Sequence, residues 1–303
     1  MSKRKKLKYT LLYRFVQSLI ALSNAVPRKI WLRFCGLLGR IAYTFSVKSR
    51  QQVIRHLTIA FGAEKDEKEI EILSRKVFEM LGKNTGEMLR ATRVERLEEI
   101  EKFLTTSGVE NFELAMAKGK GVIFLSCHVG AFDLQVANMA LRGFGSHVIG
   151  TRLKDQRLND LLWKYRKKYG AIPIERGSET FRLLKVLKSG GTVALLIDQD
   201  TKVKSRFVNF FGKPAATPVG ATILAMKTGA AVVLGYIYLG KDWKQHMHIL
   251  PEIPIHLSGD EEADMVYNTQ RLTDSIENII RRHPEQWVWM HERWKTRPGE
   301  EIR

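Results

Sequence analysis

The chain has 303 residues, and 44% of them are hydrophobic, which is enough for one large core or two modest ones. Its 50 Lys and Arg residues outnumber its 32 Asp and Glu residues, so the net charge of +18 attracts anionic partners such as nucleic acid, anionic lipid headgroups and acidic carrier proteins. Cys35 and Cys127 lie far apart in apolar settings, which excludes a disulfide framework and a cysteine metal cluster and favours a reducing compartment.

The amino-terminal region combines cations with apolar residues. Residues 1–8 contain five Lys or Arg residues, and the apolar stretch Leu11–Val26 follows. That stretch is interrupted by polar residues and stops at Pro27, so it lacks the about 18 uninterrupted apolar residues of a membrane span. It also lacks the cleavage site of a secretory signal. We expect residues 1–47 to form basic amphipathic helices that lie on an anionic membrane; the alternative is two core helices with solvated basic faces.

Residues 48–303 are expected to form one α/β domain. The pattern is helical and polar as far as Leu104, and short apolar runs then alternate with helical segments. The runs expected to be strands are Gly121–Cys127, Val148–Thr151, Ala171–Ile174, Thr192–Ile197 and Ala231–Tyr238. The later helices are expected at Gly108–Gly119, Asp155–Tyr169, Ser178–Lys188 and 262–282.

The stretch from Gly121 to Asp133 points most directly to chemistry. Its apolar run has the length of a buried strand, which places His128 at the strand's carboxyl end. Gly130 lets the backbone bend, so a helix that opens near Ala131 would let the carboxylate of Asp133 fold back on the imidazole. An imidazole that a carboxylate holds in one tautomer is a general base for a hydroxyl. The pair alone is a weak signal, because a satisfied loop histidine and a helix cap give the same pattern.

Two further polar turns follow expected strands. Glu175 and Arg176 come after one strand, and Asp198 and Asp200 come after the next. Ligands gather at the carboxyl ends of strands in open α/β sheets, so these side chains are candidates for substrate binding near His128. The planar guanidinium of Arg176 suits a phosphate, and an ordinary surface position is equally compatible with the sequence. The two aspartates have no further His or carboxylate at a useful spacing, which favours substrate positioning or loop structure over a metal site.

Residues Asp198–Ala216 are expected to form a long loop, closed by Thr217 as an N-cap with Pro218 at the first helical position. The loop mixes cations with aromatic residues, which suits nucleic acid and also lipid headgroups with their acyl chains. Residues 284–294 include three Trp residues, typical of bilayer interfaces and of ordinary cores. We assign no catalytic role to the His and Arg of that segment.

Taken in order, these segments resemble the bacterial late acyltransferases of lipid A biosynthesis, the lauroyl and myristoyl transferase family within the glycerolipid acyltransferase superfamily. The likeness extends from about Tyr13 to Pro298. His128 and Asp133 match the H-x4-D/E motif of that superfamily. Four further features carry the resemblance. They are the basic amino-terminal segment, the Pro-Ile-x-Arg turn, the Asp-Gln-Asp motif followed by Phe-Phe-Gly-x-Pro and Ala-Ala-Thr, and the Pro-Glu-Gln-Trp motif with Trp-Lys-Thr-Arg-Pro near the end.

The resemblance implies a mixed, largely parallel α/β sheet flanked by helices, behind an amphipathic helical amino-terminal region. It implies transfer of a fatty acyl chain from acyl carrier protein or coenzyme A to a hydroxyl of a lipid A precursor or related glycolipid. It implies the cytoplasmic face of the inner membrane as the location, and no cofactor or metal. By residue match His128 is the base and Asp133 is its orienting partner. The residues implied to shape the substrate site are Glu175, Arg176, Asp198 and Asp200.

Asp133 departs from this family, which more often has Glu at that position, whereas Asp is commoner in the lysophospholipid branch. The acceptor therefore stays open between a lipid A precursor and a lysophosphatidate-type lipid, and related enzymes acylate mannosylated phosphatidylinositol. Two other classes remain as alternatives: a nucleic-acid-binding protein and a membrane-bound protein with an inactive site. Against nucleic acid, the aromatic-flanked cations accompany apolar helices and the sequence contains no recognisable nucleic-acid module.

Overall fold

The computed structural model describes residues 3–150, 153–175 and 180–300. The amino-terminal part is helical, with α1 Lys3–Ala25, α2 Arg28–Phe45, α3 Val47–Phe61, α4 Glu67–Ala91 and α5 Leu97–Glu101. The chain then alternates through β1 Leu104–Ser107, α6 Val109–Ala117, β2 Val122–Ser126, α7 Leu134–Leu141, β3 His147–Gly150, α8 Gln156–Lys168, β4 Ile172–Glu175, α9 Thr180–Lys188 and β5 Thr192–Leu196. The last elements are β6 Ser205–Phe210, β7 Lys213–Pro218, α10 Gly220–Thr228, β8 Ala231–Leu239, β9 Gln245–Ile249, α11 Glu261–Arg282 and a short 3₁₀ turn, Pro284–Gln286.

Seven strands form the central sheet in the order β1-β9-β8-β2-β5-β3-β4. Every neighbouring pair is parallel except β8 with β9, so β1 and β9 run opposite to the other five strands. Helices connect the parallel strands, as such crossovers require. The predicted α/β fold with a mixed, largely parallel sheet behind amino-terminal helices is confirmed.

Strand β2 lies in the middle of the sheet and is buried along its whole length. Ile123 and Leu125 belong to the core on one face, with α3, α4, α10 and α11, whereas Val122 and Phe124 belong to the core on the other, with α6 and α7. Successive side chains of a strand point to opposite faces, so a strand covered on both faces is apolar throughout. This double cover fixes the strand whose end carries His128.

Helices α2 and α4 approach each other unusually closely. A Cβ at Gly39 would overlap the carbonyl of Phe78, and one at Gly82 would overlap the carbonyl of Cys35. Small residues at these points let the two backbones touch. Arg28 of α2 also forms an ion pair with the fully buried carboxylate of Glu87 on α4. The amino-terminal helices are therefore joined firmly to the α/β part, and the division at residue 47 stays a prediction.

Two sequence-based expectations about the later chain are wrong. The segment expected to be a loop contains the antiparallel hairpin β6-β7, whose two-residue turn, Phe211 and Gly212, has φ values of +51° and +71°. Positive φ at both positions is the turn geometry that matches the twist of a hairpin. Pro218 ends β7, and Val219 is the residue that precedes α10, so the expected N-cap at Thr217 is not formed.

Among the described residues, no helix combines the length and the apolar character needed to cross a membrane.

Candidate active site

The site begins at the carboxyl ends of two paired strands. Ser126 of β2 lies opposite Leu196 of β5 in the parallel register. His128 and Asp198 each lie two residues beyond those ends, so the two side chains meet above the edge of the sheet. The prediction that His128 follows a buried strand is confirmed.

Asp198 holds His128 at two points. Its Oδ1 lies 2.8 Å from Nδ1 of the imidazole, and its Oδ2 accepts the backbone N–H of His128 at 2.7 Å. The carboxylate is fully buried, whereas 21% of the histidine side chain is exposed. The buried partner therefore fixes the ring while the far side of the imidazole faces outward.

Residues 286–288 of the carboxyl-terminal segment form hydrogen bonds to Asp198 and to the turn that carries His128. The indole N–H of Trp287 donates to Oδ2 of Asp198 at 2.8 Å. The backbone N–H of Gly130 donates to the carbonyl of Gln286 at 2.9 Å, and that of Val288 donates to the carbonyl of His128 at 3.2 Å. Gly130 has a φ of +63°, and a Cβ there would overlap a carbonyl of β8. The turn is thus pinned through its backbone, and glycine is required at its bend.

Asp198 is ionised throughout the physiological pH range. Burial raises the pKa of Asp198, but the nearby charge of His128 and the hydrogen bonds from His128 and Trp287 outweigh burial and lower the pKa to about 2. A carboxylate can only accept a hydrogen bond, so Nδ1 of His128 carries the proton in this contact. The lone pair of the neutral ring is then on Nε2, which is the arrangement of a general base.

Asp133 does not orient His128, which corrects the prediction drawn from the H-x4-D spacing. Its Oδ1 accepts from Nε and Nη2 of Arg166 on α8, at 3.0 and 2.6 Å. The helix α7 opens at Leu134, three residues later than expected, so the Asp133 side chain points toward α8. Asp133 occupies the N-cap position of α7 without a capping hydrogen bond. A catalytic part for Asp133 stays a prediction.

An apolar cavity of about 380 Å³ lies next to the turn that carries His128, although the imidazole itself is not part of its wall. Asp133 and Arg166 stand in its wall together with Phe132, whose ring centroid lies 4.7 Å from that of His128. The remaining wall is almost wholly apolar and comes from α1, α4, α7 and α8, including Val16, Ile20, Met88, Leu89, Leu134, Ala137, Leu158, Leu161 and Leu162. The volume lies in the range of small-molecule sites. The arrangement suits an extended hydrocarbon chain whose polar end lies near His128.

The other predicted substrate residues have different positions. Asp200 accepts from the backbone N–H and hydroxyl of Thr296, at 2.8 and 3.1 Å, so it anchors the carboxyl-terminal segment. Glu175 ends β4, and its side chain lies outside the described part. Arg176 lies outside the described residues altogether. Substrate contacts by these residues remain predictions.

Cys127 precedes His128 but is not a candidate nucleophile. The residue is fully buried. Burial, followed by the charge of Asp198, raises the pKa of its thiol well above the ordinary value. The reactive form of cysteine is the thiolate, so this side chain is inert packing. Among the described residues, no three His, Cys, Asp or Glu side chains come together in a way that could hold a metal ion.

Sequence reasoning missed two residues of the site. Arg166 lies within a basic helical segment and has no distinguishing pattern. Trp287 belongs to the Pro-Glu-Gln-Trp motif, which carried the family resemblance without indicating a contact. Asp198 was found, but as a substrate residue, because its contact with His128 joins positions 70 apart in the chain.

The fold and the site together define an α/β protein with an oriented imidazole, separated by the ring of Phe132 from an apolar cavity. The family model described as "Bacterial lipid A biosynthesis acyltransferase" matches residues 1–296, and the chain belongs to that family. The resemblance drawn from the sequence, and with it the class of acyltransferases, is confirmed at the level of the family.

Three individual relatives are between 26% and 28% identical to this chain over the aligned residues. The chain is 28% identical to the lipid A biosynthesis lauroyltransferase of Escherichia coli over 87% of this chain and 84% of that one. It is 26% identical to the myristoyltransferase of the same organism, over 87% and 80%. It is 28% identical to a phosphatidylinositol mannoside acyltransferase of Mycobacterium tuberculosis over 62% of this chain, and it spans 58% of the length of that relative. The solved structure of a 1-acyl-sn-glycerophosphate acyltransferase from Thermotoga maritima is similar with a TM-score of 0.38 and 17% identity, over 84% of this chain and 98% of that one.

Proposed function

We propose that this protein transfers a fatty acyl chain from a thioester donor to a hydroxyl of a lipid A precursor or related glycolipid. The observation that carries the proposal is that His128, fixed through Nδ1 by the ionised Asp198, contacts the ring of Phe132, which lines an apolar cavity. His128 is the base, and Asp198 is its positioning residue.

The reaction follows from this geometry. Nε2 of His128 takes the proton of the acceptor hydroxyl, and the acceptor oxygen attacks the thioester carbonyl. The new C–O bond forms, the C–S bond breaks, and the proton on His128 passes to the departing thiolate. Asp198 stabilises the imidazolium that exists between these proton transfers, because its charge is buried 2.8 Å away. A thiolate leaves readily, so no acyl-enzyme is required.

The cavity supplies binding energy for the acyl chain. Each methylene removed from water contributes about 0.8 kcal/mol, so a long chain is held by its tail while its carbonyl stays at the mouth. Arg166, paired with Asp133, is a cation in the wall of the same cavity. It is suited to stabilise the negative charge that develops on the carbonyl oxygen or to hold a polar group of the substrate.

The proposal places the protein at the cytoplasmic face of the inner membrane. Leu7, Leu11 and Phe15 of α1 are 61%, 60% and 57% exposed, at a spacing that puts them on one face of the helix. The net charge of +18 favours an anionic surface and an acidic carrier protein as donor, although coenzyme A carries the same thioester. A nucleic-acid-binding protein would not require this exposed apolar face of α1, so the face favours a membrane partner.

The test is a transfer assay on purified protein with acyl carrier protein and coenzyme A as alternative donors. The acceptors are a lipid A precursor, a lysophosphatidate and a mannosylated phosphatidylinositol, with products identified by mass spectrometry. We expect acylation of one acceptor class and near-complete loss in His128→Ala. The matched control, His256→Ala, removes an exposed imidazole and keeps activity. Absence of transfer with every pair, or full activity in His128→Ala, would overturn the proposal.

A further inference from the structure

A second concave site lies between the carboxyl-terminal half of α2 and the amino-terminal half of α4. It is a groove of about 580 Å³. None of the residues that line it belongs to the apolar cavity near His128, which is called the acyl cavity below. Four of its side chains are cations, namely Arg40, Lys68, Arg75 and Lys76. The groove has no role in the proposed acyl transfer.

The cations of the groove are only partly neutralised. The two carboxylates in its wall are already engaged, Glu71 with Arg75 and Glu79 with Lys83, each at 2.6 Å. Arg40, Lys68 and Lys76 are exposed, and no ion pair forms between any of them and the part of the chain that the structure describes. Three positive charges therefore face one groove without a counter-charge, which is the arrangement that attracts an anion.

The floor of the groove is rigid. Tyr43 is buried, and the guanidinium groups of Arg50 and Arg75 lie 5.4 and 5.5 Å from the centroid of its ring. Stacking on an aromatic ring orients an arginine and leaves its donors available at the edge. The close backbone contact of α2 with α4 at Gly39 fixes the spacing between the two walls. The two walls of the groove are thus held at a fixed spacing, and Arg75 is oriented on its floor.

The groove continues into an exposed apolar stripe. Ile30, Phe34, Leu37, Ile41 and Phe45 are spaced four, three, four and four residues apart, so they share one face of α2. All are at least 40% exposed, and Phe45, beside the groove, is 81% exposed. A helix with such a stripe lies in the plane of a membrane with its apolar face among acyl chains. The long side chain of Arg40 then reaches the headgroup level.

We propose that the groove binds the phosphate of an anionic membrane lipid whose acyl chains lie along the stripe. The site would dock the protein on the bilayer and set the angle at which the acyl cavity faces the membrane. This inference goes beyond acyl transfer and does not depend on it, because binding is measured without a donor.

The experiment compares the full chain with two double variants of equal charge. Arg40→Gln with Lys76→Gln removes groove cations, whereas Lys188→Gln with Lys227→Gln removes exposed cations of α9 and α10. Flotation is measured with vesicles of phosphatidylcholine that contain phosphatidylglycerol or phosphatidate, and cooperative thermal unfolding checks the fold of each variant. We expect the groove variant to lose affinity about thirtyfold, since each cation at an anionic surface contributes roughly fivefold. The control variant should stay within about twofold of the parent, because neither of its cations lines the groove.

Equal losses in the two variants would show that only overall charge matters, and no loss in the groove variant would show that the groove binds no lipid. Either result overturns the proposal. Inorganic phosphate, added at constant ionic strength, should leave the parent protein on the vesicles. Release by inorganic phosphate that the groove variant does not show would assign the groove to a soluble anion and overturn a lipid as its occupant.

Discussion

His128 and Asp198 occupy equivalent places on neighbouring strands: each is the second residue after the paired positions Ser126 and Leu196. Their contact is therefore determined by the register of the sheet and not by any local spacing. Three N–H groups converge on the Asp198 carboxylate, two from His128 and one from Trp287. A buried carboxylate that is fully satisfied in this way stays ionised and keeps the imidazole in one tautomer.

Trp287→Phe removes one of those three donors and keeps an aromatic ring in the core. The loss of a hydrogen bond to a buried charge should lower the free energy of unfolding by about 1.5–3 kcal/mol and raise the pKa of Asp198. Urea unfolding at neutral pH measures the first effect. Trp294→Phe is the matched control, because the indole nitrogen of Trp294 is buried without a partner among the described residues, so phenylalanine loses no hydrogen bond there. Equal destabilisation by the two changes would contradict the proposed support of Asp198.

Ala137→Leu adds bulk to the wall of the acyl cavity. We expect preference for a shorter acyl chain, with a penalty of about 0.8 kcal/mol for each methylene that no longer fits. Mass spectrometry of products from a mixture of acyl donors measures the change. Ala117→Leu, at an exposed position on α6, is the control and should leave the product distribution unchanged. An unchanged distribution in Ala137→Leu would mean that the chain binds elsewhere.

The free energy of unfolding should depend on pH through His283. Burial, followed by the charges of His248, Arg282 and His246, lowers the pKa of His283 to about 4. Its ring is stacked 3.8 Å from that of Tyr238. Between about pH 6.5 and about pH 4 this histidine is protonated in the unfolded chain but stays neutral in the folded chain. The free energy of unfolding therefore falls as the pH drops from about 6.5 to about 4, by about 3 kcal/mol in all.

His283→Phe keeps the stacked ring and removes this contribution, so its unfolding free energy should vary less with pH across that window. Chemical unfolding at a series of pH values checks the difference. A slope in His283→Phe that matches the parent would exclude His283 as the source.

The sequence predicted most of what local pattern controls. The strand before His128 and the strands at β3, β4, β5 and β8 were located to within two residues, because apolar runs of that length are characteristic of buried strands. The hairpin β6-β7 was missed since its second strand contains two prolines and its turn is Phe-Gly in place of the usual Asn-Gly. Strand β9 was missed because its alternation of His and Gln with apolar residues is weak.

The site was predicted only in part, for a physical reason. A motif of fixed spacing identified His128 and Asp133, but it does not reveal which side chain each one contacts. The partner of His128 comes from β5 and the partner of Asp133 from α8, and both contacts arise from the packing of distant segments. The order of strands in a sheet decides such pairs, and it could not be read from the sequence.

The central claim is that Asp198, and not Asp133, positions the catalytic histidine, and the pH dependence of single-turnover acyl transfer in Asp198→Asn and Asp133→Asn tests it most directly. Asp198→Asn should lower the rate roughly 10²- to 10⁴-fold and alter the pH profile, because the imidazole loses its charged partner. Asp133→Asn frees Arg166 and should mainly raise KM, with the pH profile of the parent protein. A parental rate and profile in Asp198→Asn, together with the loss of His128-dependent transfer in Asp133→Asn, would contradict the account.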